Sequence, residues 1–186
     1  MCVVDIIKST REQLGLNQNE IAVKIGVAPS TYGAYERKER NMPDDIIIAL
    51  AKELGSPSIM AEYTYERNTE FFNVPLLNNV DTHPHIVIDS LIEEASEMIK
   101  ALMVIKKITK NKTNVSQFNQ EQYRELLDAE EQVGDVYSAL KMHFVTMSKY
   151  GVNVKEIEKR CNRKLIFKGY ISVNRQKKSP YIRANK

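Results

Sequence analysis

Cysteine is nearly absent from this chain. Its two residues, Cys2 and Cys161, lie far apart and in no metal-ligand spacing. Neither a disulfide framework nor a structural zinc site is expected, and both are read as free thiols in a reducing compartment. Histidine is as scarce. His83, His85 and His143 have no metal-binding spacing, and no Cys–His pair suggests a thiol nucleophile. A Gly-rich phosphate loop and a nucleophile elbow are both missing, so no catalytic residue is assigned. No run of about 18 apolar residues occurs, so no transmembrane helix and no membrane partner are expected. Asp5 interrupts the one apolar stretch near the start, which argues against a signal peptide. The expected location is the cytoplasm. An excess of one charge is lacking too. The net charge of +3 is too small to imply nucleic acid by itself.

What is present points to packed helices. Hydrophobic residues make up 42% of the 186 and charged ones 27%, values of a globular chain of one or two domains. The stretch from Gln18 to Arg40, QNEIAVKIGVAPSTYGAYERKER, organises the rest. Ile21, Ala22 and Ile25 form one apolar edge at helical spacing. Gly26 ends that helix, because glycine takes positive φ without steric cost. Pro29 opens the next helix, where its missing N–H is harmless. Tyr32 and Tyr35 point inward, leaving Pro29, Ser30, Gly33 and Ala34 on a smooth outer face. Two helices joined by a tight turn, the second smooth outside and followed by ERKER, have what entry into a major groove requires.

These residues resemble the phage repressor and Cro class of helix-turn-helix, the XRE family. The likeness runs through Arg11, Leu14 to Gln18 (LGLNQ), Ala22, Gly26, Val27, Ser30, Glu36 and the helix from Pro43 to Leu54. It implies that Gln18 opens the second helix beside a DNA phosphate. It also implies that Arg11 pairs with Glu36, tying the first helix to the recognition helix. An Arg fork suits such a bidentate pair. Among residues facing DNA, Ser30 and Thr31 offer single hydrogen bonds, and Pro29 and Ala34 could touch thymine methyls. Arg37, Lys38 and Arg40 suit phosphates, which give affinity and salt dependence but no sequence information. No Arg, Asn or Gln stands where it would read a base bidentately.

Taken in order, the first helix should run from about Val3 to Leu14 with Ile6, Ile7 and Leu14 inward. A fourth follows Pro43, and a fifth, from about Pro57 to Glu66, extends the domain. The expected fold is all-α: a four- or five-helix helix-turn-helix domain over residues 1–66, a linker over 67–84, a helical bundle over 85–170 and a basic tail over 171–186. Phe71, Phe72, Leu76 and Leu77 are too apolar for a free tether and should dock. In the bundle, Ile88, Ile92, Ala95, Ile99 and Leu102 form one strip. Leu126, Val133, Tyr137, Leu140, Phe144 and Met147 form another, and Val154 to about Leu165 is a third helix. A strip this long favours self-association, so a homodimer paired through the bundle is expected.

The bundle also carries LIEEASEMIKAL and, about forty residues on, EEQVGDVYSAL. These resemble the MazG-like all-α nucleotide pyrophosphohydrolases, whose acidic helices hold Mg²⁺ against substrate phosphates. The resemblance maps metal ligands onto Glu94, Glu97 and Asp135. The fourth position holds Gln132 where the family has Glu, and Glu131 lies a turn from Asp135. A neutral amide weakens divalent binding. The expected function is therefore a sequence-specific transcriptional regulator of double-stranded DNA, a phage or mobile-element repressor without a cofactor. An effector, nucleotide or protein, would act on the bundle. The alternatives are a Mg²⁺-dependent hydrolase fused to a DNA-binding domain, and a protein-binding module on a helix-turn-helix scaffold.

Overall fold

The computed structural model describes residues 2–171, so the basic tail from residue 172 on lies outside the described residues. Within that span the regular structure is all helical. Five helices come first: α1 Val3–Gln13, α2 Gln18–Lys24, α3 Pro29–Glu36, α4 Asp44–Glu53 and α5 Pro57–Glu66. Two long ones follow, α6 Pro84–Ile108 and α7 Gln120–Lys149, with a short 3₁₀ turn at Val115–Gln117 between them. Helix α8 is Val154–Phe167. The chain forms two compact units, one ending at Tyr150 and the other beginning at Gly151.

Local chemistry sets the first boundaries. Asn17 and Glu20 cap α2 reciprocally: the Glu20 amide donates to Asn17 Oδ1 at 3.0 Å, and the Asn17 amide to Glu20 Oε2 at 2.7 Å. Gly26, at φ +72°, turns the chain from α2 into α3. Ile7, Ile21, Tyr32, Leu50 and Ile59 are fully buried, one from each of the five helices. Ile59 makes α5 part of this core rather than an appendage. Leu14 was expected inward, yet it is 54% exposed. Leu14 is the C-cap of α1, past the last full turn, and the chain leaves the helix at Gly15, φ +69°.

Residues 67–83 do not hang free. Phe72 meets Tyr137 of α7 edge to face, with ring centroids 5.9 Å apart. Glu70 bridges Lys141 at 2.7 Å and accepts hydrogen bonds from Tyr137 at 3.1 Å and from Thr64 at 2.7 Å. Lys141 also donates to the Val74 carbonyl at 2.9 Å. Phe71, by contrast, is fully exposed.

Helices α6 and α7 form an antiparallel hairpin. The α6 face packed on α7 runs through Val87, Leu91, Glu94, Met98, Ala101, Ile105 and Ile108, in steps of four and three. The strip expected there, Ile88, Ile92, Ala95, Ile99 and Leu102, lies one residue on, about 100° round the helix, and all of it but the half-buried Ala95 is exposed. On α7 the strip expected to stay open is mostly covered within the chain. Tyr137 takes Phe72 and Glu70, and only Leu140 and Phe144 of that strip are exposed.

Helix α8 is capped by Asn153, whose Oδ1 accepts from the Glu156 amide at 3.1 Å. Glu156 in turn holds Arg160 and Arg163, each at 3.1 Å.

Candidate nucleic-acid interface

Helix α3 buries Tyr32, Tyr35 and Glu36 and leaves Pro29 and Ser30 exposed, with Thr31 and Ala34 half-buried. Gly33 differs from its expected place on an open outer face. It is buried, because the side chains of Gln18 and Arg37 lie across it. A Cβ at this position would stand 3.0 Å from Arg37 Nη1 and 3.2 Å from Gln18 Oε1. The missing side chain makes the recess in which both rest.

Beneath that face sits a buried ionic network. Arg11 Nε donates to Glu36 Oε1 at 2.6 Å, and Nη2 donates to Oε2 at 2.8 Å. The remaining nitrogen, Nη1, donates to the Leu16 carbonyl at 2.7 Å. Gln18 Nε2 adds a third bond to the same carboxylate at 2.8 Å. Burial alone would raise the Glu36 pKa, but the bonds from Arg11, with Tyr32 and Gln18 beside them, outweigh it and hold the carboxyl below its ordinary value. Burial, then the adjacent Glu36, pushes the Tyr32 phenol up. Both ions of the Arg11–Glu36 pair are almost fully buried, so removing either strands a charge without water. The network fixes the angle of α3 against α1 and α2. It also holds Gln18, the residue at the opening of α2, on Glu36 rather than free.

The cations at the end of α3 are partnered as well. Arg37 forks onto Glu39, both bonds being 2.8 Å. Lys38 adopts the left-handed conformation at φ +61°, which ends the helix. The Glu39 amide bonds back to the Ala34 carbonyl, and the Lys38 amide to that of Tyr35, both at 3.0 Å. Past this turn Lys38 reaches Asp5 of α1 at 2.7 Å. The Asp5 carboxyl is lowered to about 2, first by Lys38 and then by bonds from Cys2. Arg40 is exposed and has no ion pair among the described residues. These exposed pairs are worth little individually. Asp5 and Glu39 are the site residues that sequence reasoning missed. Glu39 stood two places from Arg37, but nothing local marked Asp5, whose approach to Lys38 depends on the packing of α1 against α3.

Residues 7–58 match the family model described as helix-turn-helix. The N-terminal third is a helix-turn-helix domain. The match supports a DNA-binding regulator of the XRE type. The match ends before α6, and neither a curated protein nor a solved structure matches the chain.

The acids of the hairpin lie apart from this interface. Glu94 and Asp135 line one cavity of about 420 Å³ between α6 and α7, with Leu77 and Val80 on its border. Burial, followed by the charges of Asp135, Glu97 and Glu93, pushes the Glu94 carboxyl up. Glu97 and Glu131 are exposed and Gln132 is half-buried. Among the described residues no three His, Cys, Asp or Glu side chains are grouped to hold a metal ion. Asp81 lies on the same lining as Glu94 and Asp135, whereas Glu97 does not.

Proposed function

We propose that the protein is a homodimeric, sequence-specific transcriptional repressor of a phage or mobile element, acting on double-stranded DNA in the cytoplasm. One observation carries this reading. The outer side of α3, with Pro29 and Ser30 exposed and Ala34 half-buried, ends at Arg37, Lys38 and Arg40. A smooth helix face bounded by cations suits a groove flanked by phosphates. A single such helix reads few base pairs, and this one has little with which to read bases. Pairing supplies the second half-site. The exposed strip Ile88, Ile92, Ile99 and Leu102 supports pairing through α6. It spans about 21 Å at 1.5 Å per residue.

The test is selection of bound sites from random duplexes, followed by anisotropy titrations. Nanomolar binding of selected sites and its loss in the Arg37→Glu, Lys38→Glu double variant are expected. Binding untouched by that change would overturn the assignment, and absence of any DNA ligand would favour a protein-binding module. The shared cavity of Glu94 and Asp135 is what favours the enzyme reading. No pyrophosphate is expected from nucleoside triphosphates with Mg²⁺; release abolished by Asp135→Ala would reverse the assignment.

A further inference from the structure

A second cavity, of about 430 Å³, lies where the helix-turn-helix domain meets the hairpin. Helices α1 and α5 form one side of it. Residues 75–78, Thr82 and α7 form the other. Its apolar wall includes Ile6, Leu77, Met142 and Val145, and its polar wall Thr10, Gln13 and Glu62. The size is that of a pocket for a small organic molecule.

Glu62 sets the chemistry. It is 9% exposed and lines the cavity, yet no hydrogen bond or ion pair reaches its carboxyl among the described residues. Lys149 is on the same lining without pairing to it. Burial, then the neighbouring charge of Glu66, pushes the Glu62 carboxyl up, against the smaller opposing charges of the chain's N-terminal ammonium and Lys141. Every other buried ion of the domain is matched: Arg11 and Glu36 satisfy each other. The Glu62 oxygens open onto the cavity, and a ligand that brings N–H groups and a positive charge supplies the donor that the described residues do not. The apolar wall then asks for a hydrocarbon body behind the cation.

We propose that this cavity binds a small amphipathic amine, its ammonium on Glu62 and its apolar body against Met142, Val145 and Leu77. Because the walls belong to the DNA-binding domain on one side and the hairpin on the other, an occupant bridges the two. The same site would then report ligand to DNA. That consequence rests on the regulator reading, whereas the binding itself does not.

Calorimetric titration of the full chain with phenethylamine tests binding, with 2-phenylethanol as the neutral counterpart. The amine is expected to bind at least tenfold more tightly than the alcohol. Glu62→Gln should remove that preference. Leu77→Trp fills the cavity from its rim, leaves the acid in place and should weaken both ligands tenfold or more, so one informative variant survives if the other fails to fold. Equal affinity for amine and alcohol, no heat with either at millimolar concentration, or amine binding unchanged in both variants would overturn the proposal. Measured without DNA, these results stand apart from the regulator reading. An amine that binds but leaves the affinity for a selected duplex unchanged would remove only the regulatory consequence.

Discussion

Glu39 holds the Arg37 guanidinium through two bonds of 2.8 Å, so under the proposed function it competes with DNA for that side chain. Glu39→Gln frees a guanidinium and removes a negative charge from the interface. Affinity for duplex should rise about threefold to tenfold at low salt, and the salt dependence should steepen by about one phosphate contact. Anisotropy titrations across a salt series measure both. Arg11 acts differently, since its partner is buried. Arg11→Met should cost about 3–5 kcal/mol in urea denaturation, because Glu36 is left charged and desolvated. The pH dependence carries two signs. Glu36 is held below its ordinary value and Asp5 is lowered to about 2. Their stabilisation is complete above the unfolded carboxylate range, about 4, and is lost as pH falls through the folded values. Glu62 is raised, so its contribution is present below that range and lost as pH rises through its folded value. Urea midpoints should therefore fall from pH 5 to pH 3, less steeply in Glu36→Gln, and Glu62→Gln should flatten the decline above pH 5.

At the scale of elements, the segment between the domains is held by α7. Glu70 and Lys141 are 19% and 12% exposed, between a surface pair and a buried one. Lys141→Met should cost about 2 kcal/mol and make residues 67–83 a site of early proteolysis. Gly134 tests the same docking. A Cβ there would stand 2.8 Å from Phe72 Cζ, so Gly134→Ala must displace the ring while improving the helix by about 1 kcal/mol. Proteolysis should quicken although the hairpin does not weaken. Much of the architecture was legible in the sequence, because turns and caps are local chemistry: Gly26, Asn17 with Glu20, and Pro29 each act within a few residues. The family resemblance pairs Arg11 with Glu36, and in the structure they meet. Which face of α6 meets α7 was not legible. Val87–Leu91–Met98 and Ile88–Ile92–Ile99 obey the same period one residue apart, and only the partner helix decides between them. The cover over Gly33 was equally hidden, since it depends on where two long side chains come to rest.

In the whole molecule, a helix with few base-reading side chains is joined to an apolar face on α6 that one chain leaves exposed. Ile92→Glu with Ile99→Glu places two charges on that face without touching the packed side of α6. Sedimentation of the full chain should show a dimer at tens of micromolar and a monomer for the double variant, with at least a hundredfold loss of affinity for a selected site. The most direct measurement is a hydroxyl-radical footprint of the full chain on a selected duplex. Two protected patches related by dyad symmetry, about 34 Å or one helical turn apart, are expected from two copies of α3 in successive major grooves. A single protected patch, or a folded protein that protects none, would contradict the account.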